Sequence, residues 1–121
     1  MIALRGATTI LNNSEEDIKT ESIKLFNEII KENNLDLNKI ISIIFSCTDD
    51  IDKEYPGKFI RENFDIKYVS IMHFNEMKVN KPSYLPMCIR LSIYYNDTIK
   101  QENVKHIYLN EAKVLRKDLV K

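Results

Sequence analysis

The run IISIIFSC at residues 40–47 limits the fold more than any other stretch of the chain. Isoleucine and phenylalanine occupy odd and even positions alike, so a strand built from it is expected to be buried on both faces. It is far too short to span a bilayer. Residues 12–34, just before it, read as a helix. Ile18, Ser22, Leu25, Phe26, Ile29 and Ile30 recur at helical spacing, with Lys and Glu opposite, and so form a core-facing stripe. Ser14, with Asp17 three residues on, resembles a capping box, and Glu15, Glu16 and Asp17 lie in the first turn, where the helix dipole favours acids.

The remaining segments fit around this pair. MIALRGATTI opens with a short alternating strand expected to end near Gly6. In KEYPGKFIRENF, Pro56 suits a first helical position, and a short helix is expected to reach about Asn63 with Lys58 and Arg61 on one face. A strand is expected over IKYVSIMHF (66–74), then a loop, NEMKVNKPSYLP, that carries two of the three prolines. CIRLSIYY (88–95) is the next strand, followed by a turn at NDT and a helical turn in IKQEN. KHIYLNEAKVLR (105–116) is expected to supply the last strand. The order β-α-β-α-β-β-β predicts one α+β domain over 1–121, a mixed sheet with helices on one face.

Within MCIRLSIYYN (87–96), Ile89, Leu91, Ile93 and Tyr95 share one strand face, and Cys88, Arg90, Ser92 and Tyr94 the other. Arg90 therefore stands between two small neighbours. It is either a solvated charge or a guanidinium set into a pocket wall, and alternation does not choose between them. Composition adds a hint. Eighteen basic residues balance eighteen acidic ones, so no global field attracts nucleic acid or an anionic membrane. Of the basic residues fourteen are Lys and four are Arg: Arg5, Arg61, Arg90 and Arg116. Where a chain so rich in lysine uses arginine, the planar fork that grips a carboxylate is one reason, and chance scatter is the other.

Several chemistries lack the residues they need. Two glycines cannot make a phosphate-cradling loop. His73 and His106 are not at ligand spacing, so no metal site is expected. No GxSxG elbow is present, and Cys47 and Cys88 carry no nucleophile signature. Their number and spacing suit free thiols in a reducing cytoplasm, and no secretory leader is evident at the N-terminus. Basic–aromatic interleaving of the kind that binds single strands is missing as well.

Taken together, RGATT (5–9), YPGKFIRE (55–62), NEM (75–77), CIR (88–90), HIYL (106–109) and VLRKDL (114–119) resemble the AroH-class, monofunctional chorismate mutases, in that family's order and across the chain. The resemblance implies a homotrimer with a pseudo-α/β-barrel core and a site at each subunit interface. It implies a pericyclic conversion of chorismate to prephenate, in the biosynthesis of Phe and Tyr, with no cofactor, metal or covalent intermediate. By the same resemblance Arg90 and Glu76 are catalytic, with Arg90 aimed at the ether oxygen and Glu76 accepting from the ring hydroxyl. Arg5 and Tyr108 would hold the side-chain carboxylate. Tyr55, Lys58 and Arg61 would approach from the neighbouring subunit. Met72, His73, Phe74 and Asn75 would line the substrate pocket, with Leu115 and Arg116 near its mouth.

Two departures stand out. His73 replaces a small thiol side chain, and would crowd the ring, donate to Glu76, or simply be a satisfied polar residue at a strand end. The loop from Glu76 to Arg90 is longer than the family's and contains KPSYLP in place of a glycine-containing turn. Two other readings remain: a trimeric module that binds a carboxylate metabolite without reaction, and a Rid-type imine deaminase, whose Gly-rich strand motif is missing.

Overall fold

The computed structural model describes residues 1–119; positions 120 and 121, the last two of the expected domain, lie outside the described residues. Helix α1 runs Glu15–Asn33, and the Ser14 Oγ accepts the Asp17 N–H at 3.1 Å. The reciprocal half of a capping box is displaced by two residues, since the Asp17 carboxylate takes the Asn12 N–H at 2.9 Å. Asn34, at φ 50°, ends the helix in the left-handed region and returns its N–H to the last-turn carbonyls. Ile18, Ser22, Leu25, Phe26 and Ile29 are buried as the stripe predicts. Ser14→Ala should cost about 1 kcal/mol of stability, and equilibrium denaturant unfolding of the variant measures it.

Five strands, β1 (Ile2–Thr9), β2 (Ile40–Cys47), β3 (Ser70–Asn75), β4 (Cys88–Tyr95) and β5 (Ile107–Tyr108), form one sheet in the order β3-β2-β4-β1-β5. β4 is antiparallel to both β1 and β2, while β3 and β5 pair in parallel with β2 and β1. The mixed α+β architecture expected from the sequence is therefore present. Helix α2 (Pro56–Asn63) links β2 to β3 and has Pro56 in its first turn.

The register shows where the helices lie. Gly6, Leu91, Phe45 and His73 are cross-strand partners in one row, so they share a face. A Cβ on Gly6 would sit 2.6 Å from Ile29 Cδ1 of α1, and one on Gly57 of α2 would sit 2.6 Å from Ile71 Cγ2 of β3. Both helices thus pack on the same face. Leu4, Ile43, Phe45, Ile89 and Ile93 are fully buried there beneath Leu25, Phe26 and Ile60.

Three expectations need correction. β1 does not end at Gly6; it runs on to Thr9, and the glycine sits mid-strand because α1 presses against the sheet there. The last strand is two residues long: Asn110 adopts φ 54°, and residues 110–114 form a 3₁₀ turn. β2 is not buried on both faces within one chain. Phe45 and Ile43 face the helices, but Ile44 is only partly covered and Ile41 is 44% exposed. Helices on one face leave the other to something else.

Candidate active site

The uncovered face is where the chemistry gathers. Arg90 points there from the middle of β4, in a row with Ala7 of β1, Ser46 of β2 and Phe74 of β3. The next row holds Arg5, Ser92, Ile44 and Met72. Glu76 follows β3 and is fixed by its own N–H, which donates to the Cys47 carbonyl at 2.8 Å. Its Oε2 accepts from Ser46 Oγ at 2.9 Å, and its Oε1 lies 2.9 Å from Arg90 Nε. That Nε–H is out of hydrogen-bond alignment, so charge holds the pair and the buried donor has no aligned acceptor. The guanidinium also neighbours the Cys88 thiol, and 44% of the Arg90 side chain remains open on this face.

Arg5, Tyr108, Ser46, Ser92, Glu76 and Arg90 line one cavity of about 280 Å³. The serines and Ala7 are small, and they leave the floor between the charged groups open. Tyr108 is buried in a second, smaller cluster with Ala7, Cys88 and Ala112, against which Leu85, Leu115 and Leu119 pack. Leu115 therefore packs against the cluster that holds Tyr108. Arg116 grips Asp118 through two bonds of 3.0 and 2.8 Å and, with Arg5, borders an adjoining cavity of about 490 Å³. The Arg5 N–H donates to His106 Nδ1 at 3.0 Å, which anchors that end of the site.

The other expected site residues are not brought to Arg90 within one chain. Met72 and Phe74 lie on the open face, each about half exposed, at 53% and 52%. Tyr55, His73, Phe74 and Asn75 line a separate cavity of about 340 Å³ beside α2. Lys58 extends from α2 to pair with Glu54 at 2.7 Å. Arg61 is committed to its own backbone, donating to the Lys67 and Val69 carbonyls at 3.0 and 3.1 Å. His73 does not donate to Glu76. It lies on the helix face, stacks on Phe45 at 5.1 Å, and accepts the Gly57 N–H on Nε2 at 3.0 Å. Within the single chain the imidazole is a satisfied polar group.

Both histidines accept a backbone N–H on an unprotonated nitrogen, and burial lowers the pKa of each from 6.5, aided at His106 by Arg5 and Arg116. The unfolded chain then takes up protons that the folded chain refuses. Stability should be unaffected by these groups above their ordinary pKa and should fall as pH drops below about 6.5. Urea midpoints at pH 7.5 and 5.5 measure this; a higher midpoint at pH 5.5 contradicts it. The thiols behave differently. Burial pushes Cys47 up to about 12, and pushes Cys88 up to about 11 despite the neighbouring Arg90 guanidinium. Neither is a thiolate at neutral pH, so neither is a ready nucleophile.

Among the described residues no group of three or more His, Cys, Asp or Glu side chains is placed to hold a metal, and no helix is long and apolar enough to cross a membrane. One member of the site, Ser46, was missed by sequence reasoning. The available signal was weak: Ser46 is one of two serines, with Ser42, that interrupt the apolar run, and it stands one residue before Cys47.

Two arginines, a carboxylate and a phenol surround this small cavity, an arrangement with the chemistry to hold an organic anion. Comparison with known proteins gives the family. The family profile described as chorismate mutase type I matches residues 1–119, and the chain belongs to that family. It is 33% identical to chorismate mutase AroH of Bacillus subtilis (strain 168) over 116 residues, 96% of this chain and 90% of that one. Chorismate mutase AroH of Thermus thermophilus is 29% identical over 117 residues, covering 96% and 93%. A solved structure of a chorismate mutase from Clostridium thermocellum superposes with a TM-score of 0.86 at 39% identity, covering 93% of this chain and 97% of that one.

Proposed function

We infer that this protein is a chorismate mutase, an isomerase that converts chorismate to prephenate for aromatic amino-acid biosynthesis, and that its reaction takes place on the open sheet face at Arg90. The observation that carries the site assignment is the Arg90 guanidinium, paired with Glu76 beside a floor of serines in one cavity. In the rearrangement the ether C–O bond breaks as a C–C bond forms, and negative charge gathers on the ether oxygen. A guanidinium already aimed at that oxygen stabilises the transition state more than the ground state. Glu76 accepts from the ring hydroxyl and keeps the guanidinium from turning away. Arg5 and Tyr108 hold the side-chain carboxylate, which keeps the enolpyruvyl arm folded over the ring and removes much of the entropic cost.

The working unit in this proposal is a homotrimer with a barrel-like core and a site at each subunit interface. Charge supports it: Arg5 and Arg90 against Glu76 leave one net positive charge, too little for a dianion. Lys58 from a neighbouring copy supplies another, and its exposed pair with Glu54 is weak enough to exchange. Apolar exposure supports it too, since Ile41, Met72, Phe74 and Tyr94 are uncovered in the single chain. A cytoplasmic setting belongs to the same proposal, on the strength of two free buried cysteines.

The test is to follow loss of chorismate and formation of prephenate with purified protein. Turnover without added metal or cofactor is expected. A rate no greater than that of buffer overturns the activity and leaves the non-catalytic binding module.

A further inference from the structure

Two successive residues of β2 hold Glu76. The Cys47 carbonyl accepts the Glu76 N–H at 2.8 Å, and the Ser46 hydroxyl donates to Glu76 Oε2 at 2.9 Å. The first bond fixes the backbone as the chain leaves β3, and the second fixes the end of the side chain. Ser46 is also the cross-strand partner of Arg90 and lines the same cavity as Arg90 and Glu76. Hydroxyl, carboxylate and guanidinium therefore meet at one place on the open face. The mechanism above gives Ser46 no part beyond the cavity floor.

The carboxylate is divided between its two neighbours. Oε2 meets Ser46, and Oε1 lies 2.9 Å from Arg90 Nε. An arginine and a carboxylate often pair through two parallel bonds, with both oxygens facing the guanidinium. Arg116 and Asp118 pair in that way in this same chain, through Nε and a terminal nitrogen at 3.0 and 2.8 Å. A Glu76 carboxylate turned to Arg90 likewise would take up a terminal nitrogen on the end of the guanidinium that the substrate needs. The charge-assisted bond from Ser46 opposes that turn.

We propose that Ser46 is a positioning residue that acts through Glu76: by holding Oε2 it keeps the ion pair at Arg90 Nε and reserves the far end of the guanidinium for substrate. This rests on the activity inferred above and adds to it the group that orients the catalytic pair. Each carboxylate oxygen has two lone pairs, so the bond to Ser46 leaves room on Glu76 for the ring hydroxyl. Serine suits the task because its hydroxyl sits one bond from Cβ, close to the strand, and draws the acid back toward β2. Alanine at this position would leave Oε2 free to turn to the guanidinium.

The experiment measures kcat and KM for chorismate in wild type, Ser46→Ala, Ser46→Thr, Glu76→Ala and the variant with both alanines. Ser46→Ala should lose about tenfold in kcat, the scale of one hydrogen bond to a charged group, with KM changed by less than about threefold. Ser46→Thr keeps a hydroxyl and should recover most of that loss. On the Glu76→Ala background, removing the Ser46 hydroxyl should cost nothing further, because its effect passes through that carboxylate. Near-normal kcat in Ser46→Ala, a loss carried by KM alone, equal losses in the Ala and Thr variants, or a full tenfold loss on the Glu76→Ala background each overturns the proposal. So does loss of the native circular dichroism spectrum in Ser46→Ala, which would make the serine a structural residue. An inactive wild type is a different result: it removes the activity and this inference together, whereas an active wild type matched by Ser46→Ala removes this inference alone.

Discussion

Arg90→Lys is expected to lower kcat by about 10²–10³, the loss typical when one well-placed donor to a developing oxyanion is removed, while fold and assembly survive. Lysine keeps the charge, so an argument from net electrostatics alone predicts a small effect. Geometry predicts a large one. In this site the arginine's Nε lies against Glu76, which leaves the far end of the same planar group to face the substrate. An ammonium has a single nitrogen and must choose between them. Circular dichroism and solution mass should match wild type. A variant with near-normal kcat would make Arg90 peripheral.

The second large effect concerns the division of the site between chains. If Lys58 on α2 of one copy completes the cavity at Arg90 of the next, then Arg90→Ala and Lys58→Ala should each be severely impaired as pure trimers. Unfolding them together at equal amounts and refolding should restore activity. Each site needs one intact α2 and one intact β4 from different chains, so random assembly rescues about one quarter of the sites. Activity that stays at the level of the separate variants would place Lys58 and Arg90 in the same chain's site, or Lys58 in none. The single-chain geometry favours rescue, because α2 packs on the helix face and Arg90 points from the opposite one.

Strand β4 shows what was legible in the sequence. CIRLSIYY alternates strictly, with one face apolar throughout, and the structure seats Ile89, Leu91, Ile93 and Tyr95 in the core with Arg90 opposite. Neighbouring β3 was harder to read because both of its faces carry large side chains. Ile71 and His73 face α2 and Met72 and Phe74 face outward, which only the pairing with β2 settles. Its start was misplaced as well. Residues 66–69 form a turn whose carbonyls at 67 and 69 are held by Arg61, a use of an arginine that spacing does not show. In HIYLNEAKVLR the strand pattern lasts only to Tyr108, and from Ala112 onward the apolar spacing is that of a helical turn. What covers the open face is a property of several chains, and one sequence carries only its trace, as apolar side chains left uncovered.

For Arg90 the sequence left two alternatives, a solvated charge or a pocket wall. The structure tethers the guanidinium to Glu76 over small neighbours, with its side chain still 44% exposed in the single chain. The most direct test is the structure of the protein with a stable oxabicyclic dicarboxylate that mimics the transition state. A terminal nitrogen of Arg90 within about 3.2 Å of the oxygen that stands for the ether oxygen, in a hydrogen-bonding direction, is the result expected. The mimic bound elsewhere, or bound at the open face with Arg90 turned away from that oxygen, contradicts the account.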